Sequence, residues 1–371
     1  MFNHTSRWVT IMEIQENNPR YRIDTFYAPS LEQNALGDDP NKKVTIYLPP
    51  GYFSSENQTK RYPTIYFLNG YGVSLDTPTF NTKRGWKKIL NFIMRLMLRK
   101  VFKVHLMYED LDSLISRKEM NPFILVQPDG NLPLPNYFKL KNQIGEIYKK
   151  GCFFMNSPYT GNYGDYICKD LINYMDTNFR TLATKSSRAL TGVSMGGFGA
   201  LLGGIKHPDT FNAVVAISPL IKMKDLLDVV AISPMMEKML GREKAELEYR
   251  KDLIDMMDTA DIILHEKQEL IENDELKDDI ATKLDGMDLN LVLNQYPNAF
   301  ENVNLAFYCE EKDEWKFPSQ IRDFELTLKN KNIPCTIDIF SNAFAQKYSS
   351  HQMGISFRLK EILHFCLDNM D

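Results

Sequence analysis

Between about residues 44 and 219, short apolar segments alternate with longer segments of helical periodicity. The apolar segments are rich in β-branched and aromatic residues and most of them end near Gly, Pro, Asn or Asp, as buried strands do. The predicted strands are 44–48, 64–68, 123–127, 188–191 and 213–217, and the predicted helices are 166–178 and 198–206. Strands that are apolar on both faces and alternate with helices predict an α/β fold, with a mostly parallel central sheet and helices on both faces.

Two segments interrupt this alternation, and after the second of them it returns near the C-terminus. Its predicted elements are strand 303–307, helix 320–330, strand 335–340 and helix 353–367. The interruptions, 79–118 and 222–300, are helical in composition, and the second is acidic. We interpret residues 1–371 as a single α/β domain with two helical cap insertions.

The first insertion is predicted to carry a basic amphipathic helix. Its polar stripe repeats every three or four positions and consists of Lys88, Asn91, Arg95, Arg99 and Lys103. No Asp or Glu lies between Asp76 and Glu109, and the apolar residues of 86–108 cover more of the helix than one packed face requires. One interpretation is a lid that contacts lipid at the surface of an anionic membrane. The other is a buried cap that packs against the acidic insertion. In either case its methionine-rich face could line a pocket for long acyl chains.

Composition narrows the class of protein without identifying a function. The 371 residues carry 44 Lys and Arg against 48 Asp and Glu, a net charge of −4, which gives no footprint for nucleic-acid binding. No apolar segment suits a transmembrane helix, the N-terminus lacks a secretory-signal pattern, and the five scattered cysteines are expected as reduced thiols. We therefore expect a cytoplasmic protein with no metal and no organic cofactor, and its oligomeric state stays open.

The most specific short motif is Gly192-Val193-Ser194-Met195-Gly196, a GxSxG pentapeptide between a predicted strand and a predicted helix. A tight turn there would raise the Ser194 hydroxyl at the C-terminal edge of the sheet, because glycines remove Cβ atoms that would collide with neighbouring backbone. The N–H of Met195 would then lie at a helix N-terminus and could donate to an oxyanion. The structural alternative is a glycine-rich helix start that packs closely on a strand.

Four segments, in order along the chain, carry a resemblance to a known family. They are 44–52 (VTIYLPPGY), 61–70 (RYPTIYFLNG), 161–166 (GNYGDY) and 192–197 (GVSMGG). Together they resemble the Putative esterase (esterase D-like) family of α/β-hydrolases, to which feruloyl esterases, S-formylglutathione hydrolases and mycolyltransferases are similar. The resemblance covers about 44–219 and 303–351. It implies an α/β-hydrolase fold and a carboxylic-ester hydrolase whose nucleophile is Ser194.

An α/β-hydrolase orders its triad as Ser, then Asp or Glu, then His, so the general base must follow the nucleophile. The histidines in that part of the chain are His207, His265, His351 and His364. His351 follows a predicted strand and a polar loop and precedes a helix, as the family's catalytic histidine does. The resemblance therefore implies that His351 is the general base.

The resemblance places the triad acid in the loop after strand 303–307. The candidates there are Glu310, Glu311, Asp313 and Glu314. Asp313, four residues past Cys309, matches the family's position, with Glu310 or Glu311 as substitutes. Glu310 stands where the family usually has glycine. The alternative without catalysis is that these carboxylates are solvated loop charges.

The resemblance also implies an oxyanion-hole donor in the turn after strand 64–68. The family commonly has His-Gly there, whereas this chain has Asn69-Gly70-Tyr71-Gly72. Because the donor is a backbone N–H, Tyr71 can supply it without that histidine, and Gly72 is the second choice.

The loop that contains Asn156 and Tyr163 resembles a family loop beside the active site. Its side chains would either shape the acyl or alcohol pocket or serve only to pack the loop. The identity of the natural ester and the preferred acyl-chain length stay open.

These residues predict a serine carboxylic-ester hydrolase that forms an acyl-enzyme with a small-molecule ester. Two alternatives remain. An acyltransferase would use the same triad and transfer the acyl group to an alcohol, and a non-catalytic binding protein would use the same fold without the reaction.

Overall fold

The centre of the molecule is an eight-stranded sheet in the computed structural model, which describes residues 19–72, 108–132, 150–265, 270–273, 275–351 and 358–371. The strands are β1 (Tyr21–Tyr27), β2 (Asn41–Tyr47), β3 (Thr64–Leu68), β4 (Ile124–Pro128), β5 (Arg188–Val193), β6 (Ala213–Ile217), β7 (Asn304–Glu310) and β8 (Cys335–Phe340). Their order across the sheet is β1-β2-β4-β3-β5-β6-β7-β8. β2 is antiparallel to both of its neighbours, and the strands from β4 to β8 run parallel. The predicted mostly parallel sheet is therefore confirmed.

The strands agree with the sequence pattern in most places. β3, β6 and β8 have the predicted bounds, and β2, β4, β5 and β7 match predicted strands with shifted ends. β1 was not predicted, because polar residues interrupt its apolar pattern. Within it only Tyr21 and Phe26 are buried. As an edge strand, it needs less apolar surface than the strands inside the sheet.

Helices surround the sheet. They are α1 (Tyr108–Ser116), α2 (163–178), α3 (Met195–Lys206), α4 (Pro234–Leu240), α5 (Arg242–Leu264), α6 (Leu289–Gln295), α7 (Phe317–Asn330), α8 (Ala343–Tyr348) and α9 (Leu359–Asp368). Single turns of 3₁₀-helix span Pro29–Leu31, Ser55–Asn57 and Lys185–Ser187, and longer ones span Met223–Asp228 and Ala281–Met287. The helices predicted at 166–178, 198–206 and 320–330 are confirmed, with earlier starts. For the last predicted helix, residues 352–357 lie outside the described residues.

Each face of the sheet carries its own apolar core. On one face, α1 and α9 pack against alternate strand residues such as Val215. On the other face, α2, α3 and α7 pack against the intervening residues such as Val214. Successive side chains of a strand point to opposite faces, so a fully apolar strand such as β6 contributes to both cores.

The acidic insertion, 222–300, contributes to the core that contains α3. It includes α4, α5, α6 and a short ribbon in which Ile271–Glu272 pairs with Glu275–Leu276. Its buried apolar residues in this core include Leu253, Met257, Ile263, Leu284 and Leu293. The insertion therefore shares its core with that face of the sheet.

All but the last residue of the basic helix predicted over 86–108 falls in the part of the chain, 73–107, that lies outside the described residues. The end of the first insertion forms α1, whose Leu111 and Ile115 are buried against the sheet. In the part of the chain that is described, no helix combines the length and apolar character that a bilayer span requires. The choice between a lipid-contacting lid and a buried cap stays a prediction.

Candidate active site

Ser194 lies in the turn between β5 and α3. Its backbone has φ 55° and ψ −113°, a conformation that L residues rarely adopt. A Cβ on Gly196 would lie 2.1 Å from the Leu68 carbonyl oxygen, and one on Gly192 would lie 2.3 Å from the Gly196 carbonyl oxygen. Glycine is therefore required on both sides of Ser194. The turn holds Ser194, which is half-buried, at the C-terminal end of β5.

The turn after β3 lies beside the nucleophile. A Cβ on Gly70 would lie 3.8 Å from the Ser194 Cβ, an ordinary contact distance. Met195 and Tyr71 both pack on Gly151, where a Cβ would lie 2.1 Å from Met195 Sδ and 3.0 Å from Tyr71 Cδ2. The structure thus brings together the two residues whose N–H groups the sequence nominates as oxyanion donors. Their catalytic role stays a prediction.

His351 and Asp313 are in direct contact. The distance between His351 Nδ1 and Asp313 Oδ2 is 2.7 Å, and the Asp313 side chain is completely buried. The other carboxylate oxygen, Oδ1, accepts the Trp315 N–H at 2.9 Å. A carboxylate at Nδ1 favours the tautomer that carries its proton there, which leaves Nε2 to accept a proton. Among the described residues, Asp313 makes this contact, and Glu310 and Glu311 do not.

Opposing effects set the pKa of His351. Burial lowers it, whereas the charge of Asp313, its hydrogen bond and the charge of Glu314 raise it, and the net pKa is raised above the ordinary value. The rings of Phe317 and Trp315 flank the imidazole edge-on, with centroids 5.3 and 6.3 Å away. His351 therefore holds a proton more readily than a solvent-exposed histidine does.

The nucleophile and the His351–Asp313 pair lie at the same edge of the sheet, because β5, β6 and β7 are parallel neighbours. The Ser194 N–H donates to the last carbonyl of β6 at 2.9 Å. Ser218 Oγ then lies 3.5 Å from Cys309 Sγ, which lies 3.9 Å from Asp313 Oδ2. No hydrogen bond joins the Ser194 hydroxyl to His351 within the described residues. In unliganded enzymes this bond is often long and shortens when substrate binds.

A family model described as "Putative esterase" matches residues 34–277. This segment contains the turn after β3, the GxSxG turn and most of the acidic insertion. The chain belongs to this family. The resemblance expected from the four sequence segments is confirmed.

Individual relatives of this esterase-family chain are distant. The endo-1,4-beta-xylanase/feruloyl esterase of Xylanibacter ruminicola is 26% identical over 212 residues, which cover 56% of the chain and 24% of that protein. The chain thus spans about a quarter of the length of that curated relative. A solved ferulic acid esterase is 17% identical with a TM-score of 0.55, over 94% of this chain and 97% of that one. The S-formylglutathione hydrolase FrmB of Staphylococcus aureus is 14% identical with a TM-score of 0.53, over 94% and 98%. These likenesses identify the α/β-hydrolase fold, as expected.

Glu310, which stands where the esterase family usually has glycine, links the acid loop to the segment before His351. Its carboxylate is buried, and Oε2 accepts the Lys312 N–H at 2.6 Å. Oε1 accepts the Asn342 N–H at 3.1 Å and Gln346 Nε2–H at 2.7 Å. From the sequence, Glu310 is only an alternative acid, because no neighbouring residue indicates these distant donors.

Glu314 contacts the backbone of His351 itself. Its Oε1 accepts the Ser350 N–H at 2.8 Å and its Oε2 accepts the His351 N–H at 2.7 Å. Both residues lie in the first turn of a helix, where N–H groups have no intrahelical acceptor. Burial and the charge of Asp313 raise the pKa of Glu314, although the two N–H donors oppose this. The Glu314 carboxylate therefore holds the backbone of His351, from which the imidazole side chain extends. From the sequence, Glu314 is one of the candidate acids in this loop, and its contacts with the backbone at His351 were not predicted.

The remaining histidines after the nucleophile lie elsewhere. His207, at the end of α3, has its Nε2 3.7 Å from Asp165 Oδ1. His265 is exposed after α5 and stacks on the Tyr159 ring at 5.0 Å, and His364 is half-buried in α9. Within the described ranges, no group of three or more His, Cys, Asp or Glu side chains is arranged to hold a metal ion.

Three further residues were predicted beside the site, and two of them, Asn156 and Tyr163, have local contacts. Asn156 Oδ1 accepts the Asp165 N–H at 3.0 Å near the start of α2. The buried Tyr163 hydroxyl donates to Asp38. Gly72, with φ 72°, is the last described residue of the turn after β3. The contacts of Asn156 and Tyr163 favour loop packing, and any contact of these residues with substrate stays a prediction.

Proposed function

We propose that the chain is a serine carboxylic-ester hydrolase that acts through an acyl-enzyme. The observation that carries the proposal is the 2.7 Å contact between His351 and Asp313 at the edge of the sheet where the glycine-flanked turn presents Ser194. Membership of an esterase family supports the reaction class. Relatives named feruloyl esterase support a small-molecule ester as substrate.

In the proposed acylation step, His351 Nε2 accepts the Ser194 hydroxyl proton as Oγ attacks the ester carbonyl carbon. Asp313 orients the ring and stabilises the imidazolium that forms. The N–H groups of Met195 and Tyr71 donate to the carbonyl oxygen as it becomes negative. The intermediate then breaks its bond to the alcohol oxygen, and His351 returns the proton to the departing alcohol.

Deacylation repeats these steps with water. His351 accepts a proton from the water molecule while its oxygen attacks the acyl carbon, and Ser194 leaves with that proton. If an alcohol replaced water, the same site would be an acyltransferase. Product analysis with added alcohols separates the two: a hydrolase releases mainly free acid, and a transferase forms mainly a new ester.

The direct test is labelling with a fluorophosphonate probe, which reacts with activated serines. We expect label on the native protein and none on Ser194→Ala, whereas Ser319→Ala, at an exposed serine in α7, should label normally. Labelling should run in parallel with release of acid from p-nitrophenyl acetate and methyl ferulate. Folded native protein that takes no label and cleaves neither ester would contradict the proposal.

A further inference from the structure

A polar cluster joins the turn after β3 to the acidic insertion. The Tyr71 hydroxyl donates to Asp255 Oδ2 at 2.7 Å and lies 2.8 Å from Thr259 Oγ1. Lys150 Nζ lies 2.8 Å from Asp255 Oδ1 and 2.7 Å from Asp258 Oδ2. Asp255 therefore uses one carboxylate oxygen for Tyr71 and the other for Lys150.

The cluster is shielded from solvent. The side chains of Lys150, Asp255 and Asp258 are 9%, 19% and 18% exposed, and Thr259 is completely buried. Surface ion pairs contribute little to rigidity, but pairs held away from water are weakly screened, and loss of one partner leaves a buried charge uncompensated. The cluster is therefore a fixed connection between α5 and the core, rather than a transient surface contact.

The same cluster is connected to Tyr71 and Met195, the two residues predicted to donate to the oxyanion. Lys150 precedes Gly151 in a short strand that pairs with Asn131–Leu132. Gly151 lies under the Met195 side chain and the Tyr71 ring, as the close approaches to its Cβ position show. Any shift of Lys150 or of the Tyr71 hydroxyl would therefore change how the turn after β3 lies against the start of α3.

We propose that Asp255 is a positioning residue for the oxyanion hole. By holding Tyr71 and Lys150, it fixes the separation of the Tyr71 and Met195 N–H groups. The inference rests on the proposed function, since it takes these groups to hold the oxyanion. Donors aimed at developing charge act mainly in the transition state, so misplacing one lowers kcat more than it weakens substrate binding. The acidic insertion is then a part of the catalytic apparatus.

The test uses Tyr71→Phe, which keeps the ring and the backbone N–H, and Asp255→Asn, which keeps the shape of the side chain. Each should lower kcat for p-nitrophenyl acetate by about 10- to 100-fold and leave KM within about twofold. Affinity for phenylboronic acid, whose tetrahedral serine adduct imitates the transition state, should fall in parallel. The double variant should be no worse than the worse single one, because the two residues act as a unit. Glu243→Gln, at an exposed position in the first turn of α5, removes one carboxylate charge from the same helix and is the control, which should keep kcat.

Normal kcat and boronate affinity in either folded variant would overturn the positioning role. So would a higher KM with unchanged kcat, because that pattern indicates a contact with bound substrate. If Tyr71→Phe does not fold, Asp255→Asn carries the test alone, with its melting temperature measured beside it. Activity that survives Ser194→Ala would instead show that the proposed function is wrong. Activity that needs Ser194 but not Asp255 would show that only the positioning role is wrong.

Discussion

The two halves of the candidate site are held in place by different kinds of contact. Around Ser194 the contacts are steric and involve backbone, because glycine at 192 and 196 lets α3 and the end of β3 approach within a distance that no Cβ permits. Around His351 the contacts are polar, because the buried carboxylate of Glu310 and the half-buried carboxylate of Glu314 accept hydrogen bonds from N–H groups 32 to 37 positions further along the chain. The nucleophile half thus depends on close backbone packing, and the base half depends on buried charge.

Removing the reacting groups tests whether the two halves work as one unit. We expect Ser194→Ala and His351→Ala each to lower kcat/KM by on the order of 10⁴ to 10⁶, because either loss disables the same proton transfer. The double variant should then be little worse than either single one. Rates are compared by ester hydrolysis at equal concentrations of folded protein. Losses that multiply in the double variant would indicate that the two residues act independently.

The next comparison disrupts only the close backbone packing around Ser194. Gly196→Ala places a Cβ 2.1 Å from the Leu68 carbonyl oxygen, so we expect a loss of about 3 kcal/mol in the free energy of unfolding. Gly203→Ala, on the same helix, meets side-chain atoms and no backbone: the end of the Leu190 side chain at 2.7 Å and Cys168 Sγ at an ordinary 3.5 Å. The higher helix propensity of Ala, about 1 kcal/mol, should offset that contact. Urea denaturation measures the free energy of unfolding of both variants. Equal losses would show that the close approach at Gly196 costs no more than the side-chain contact at Gly203.

The same contrast explains what could be predicted from the sequence. The GxSxG turn was predictable because its steric requirement is local, and residues next to each other in the chain express it. The parallel strands were predictable because burial on both faces demands continuous apolar segments. The contacts of Glu314 were not predictable, because a loop glutamate looks the same in a sequence whether it is solvated or bonded to a distant backbone. The hydroxyl contact of Tyr71 with Asp255, 184 positions away, was missed for the same reason.

The pH profile tests the electrostatics of the base half. With His351 as the proposed general base, the reaction requires the neutral imidazole, so kcat/KM should rise as the pH increases through the pKa of that residue in the free enzyme. Because Asp313 and Glu314 raise this pKa despite burial, the acid limb should lie above the ordinary histidine value of about 6.5. An acid limb below that value, with chemistry still rate-limiting, would show that burial outweighs the two carboxylates.

Glu314→Gln sharpens this prediction, because it removes one charge that raises the pKa of His351 and keeps one oxygen for the backbone N–H groups. The acid limb of kcat/KM should therefore move to lower pH. The plateau should fall by about tenfold, because one cap hydrogen bond is lost and the imidazole is held less firmly. The control is Glu301→Gln, at an exposed position just before the start of β7. It makes the same charge change far from the His351 ring, so the acid limb and the plateau of kcat/KM should both stay unchanged. A lower plateau with an unmoved limb would mean that Glu314 acts through geometry alone, and an unchanged profile would show that the base half does not depend on it.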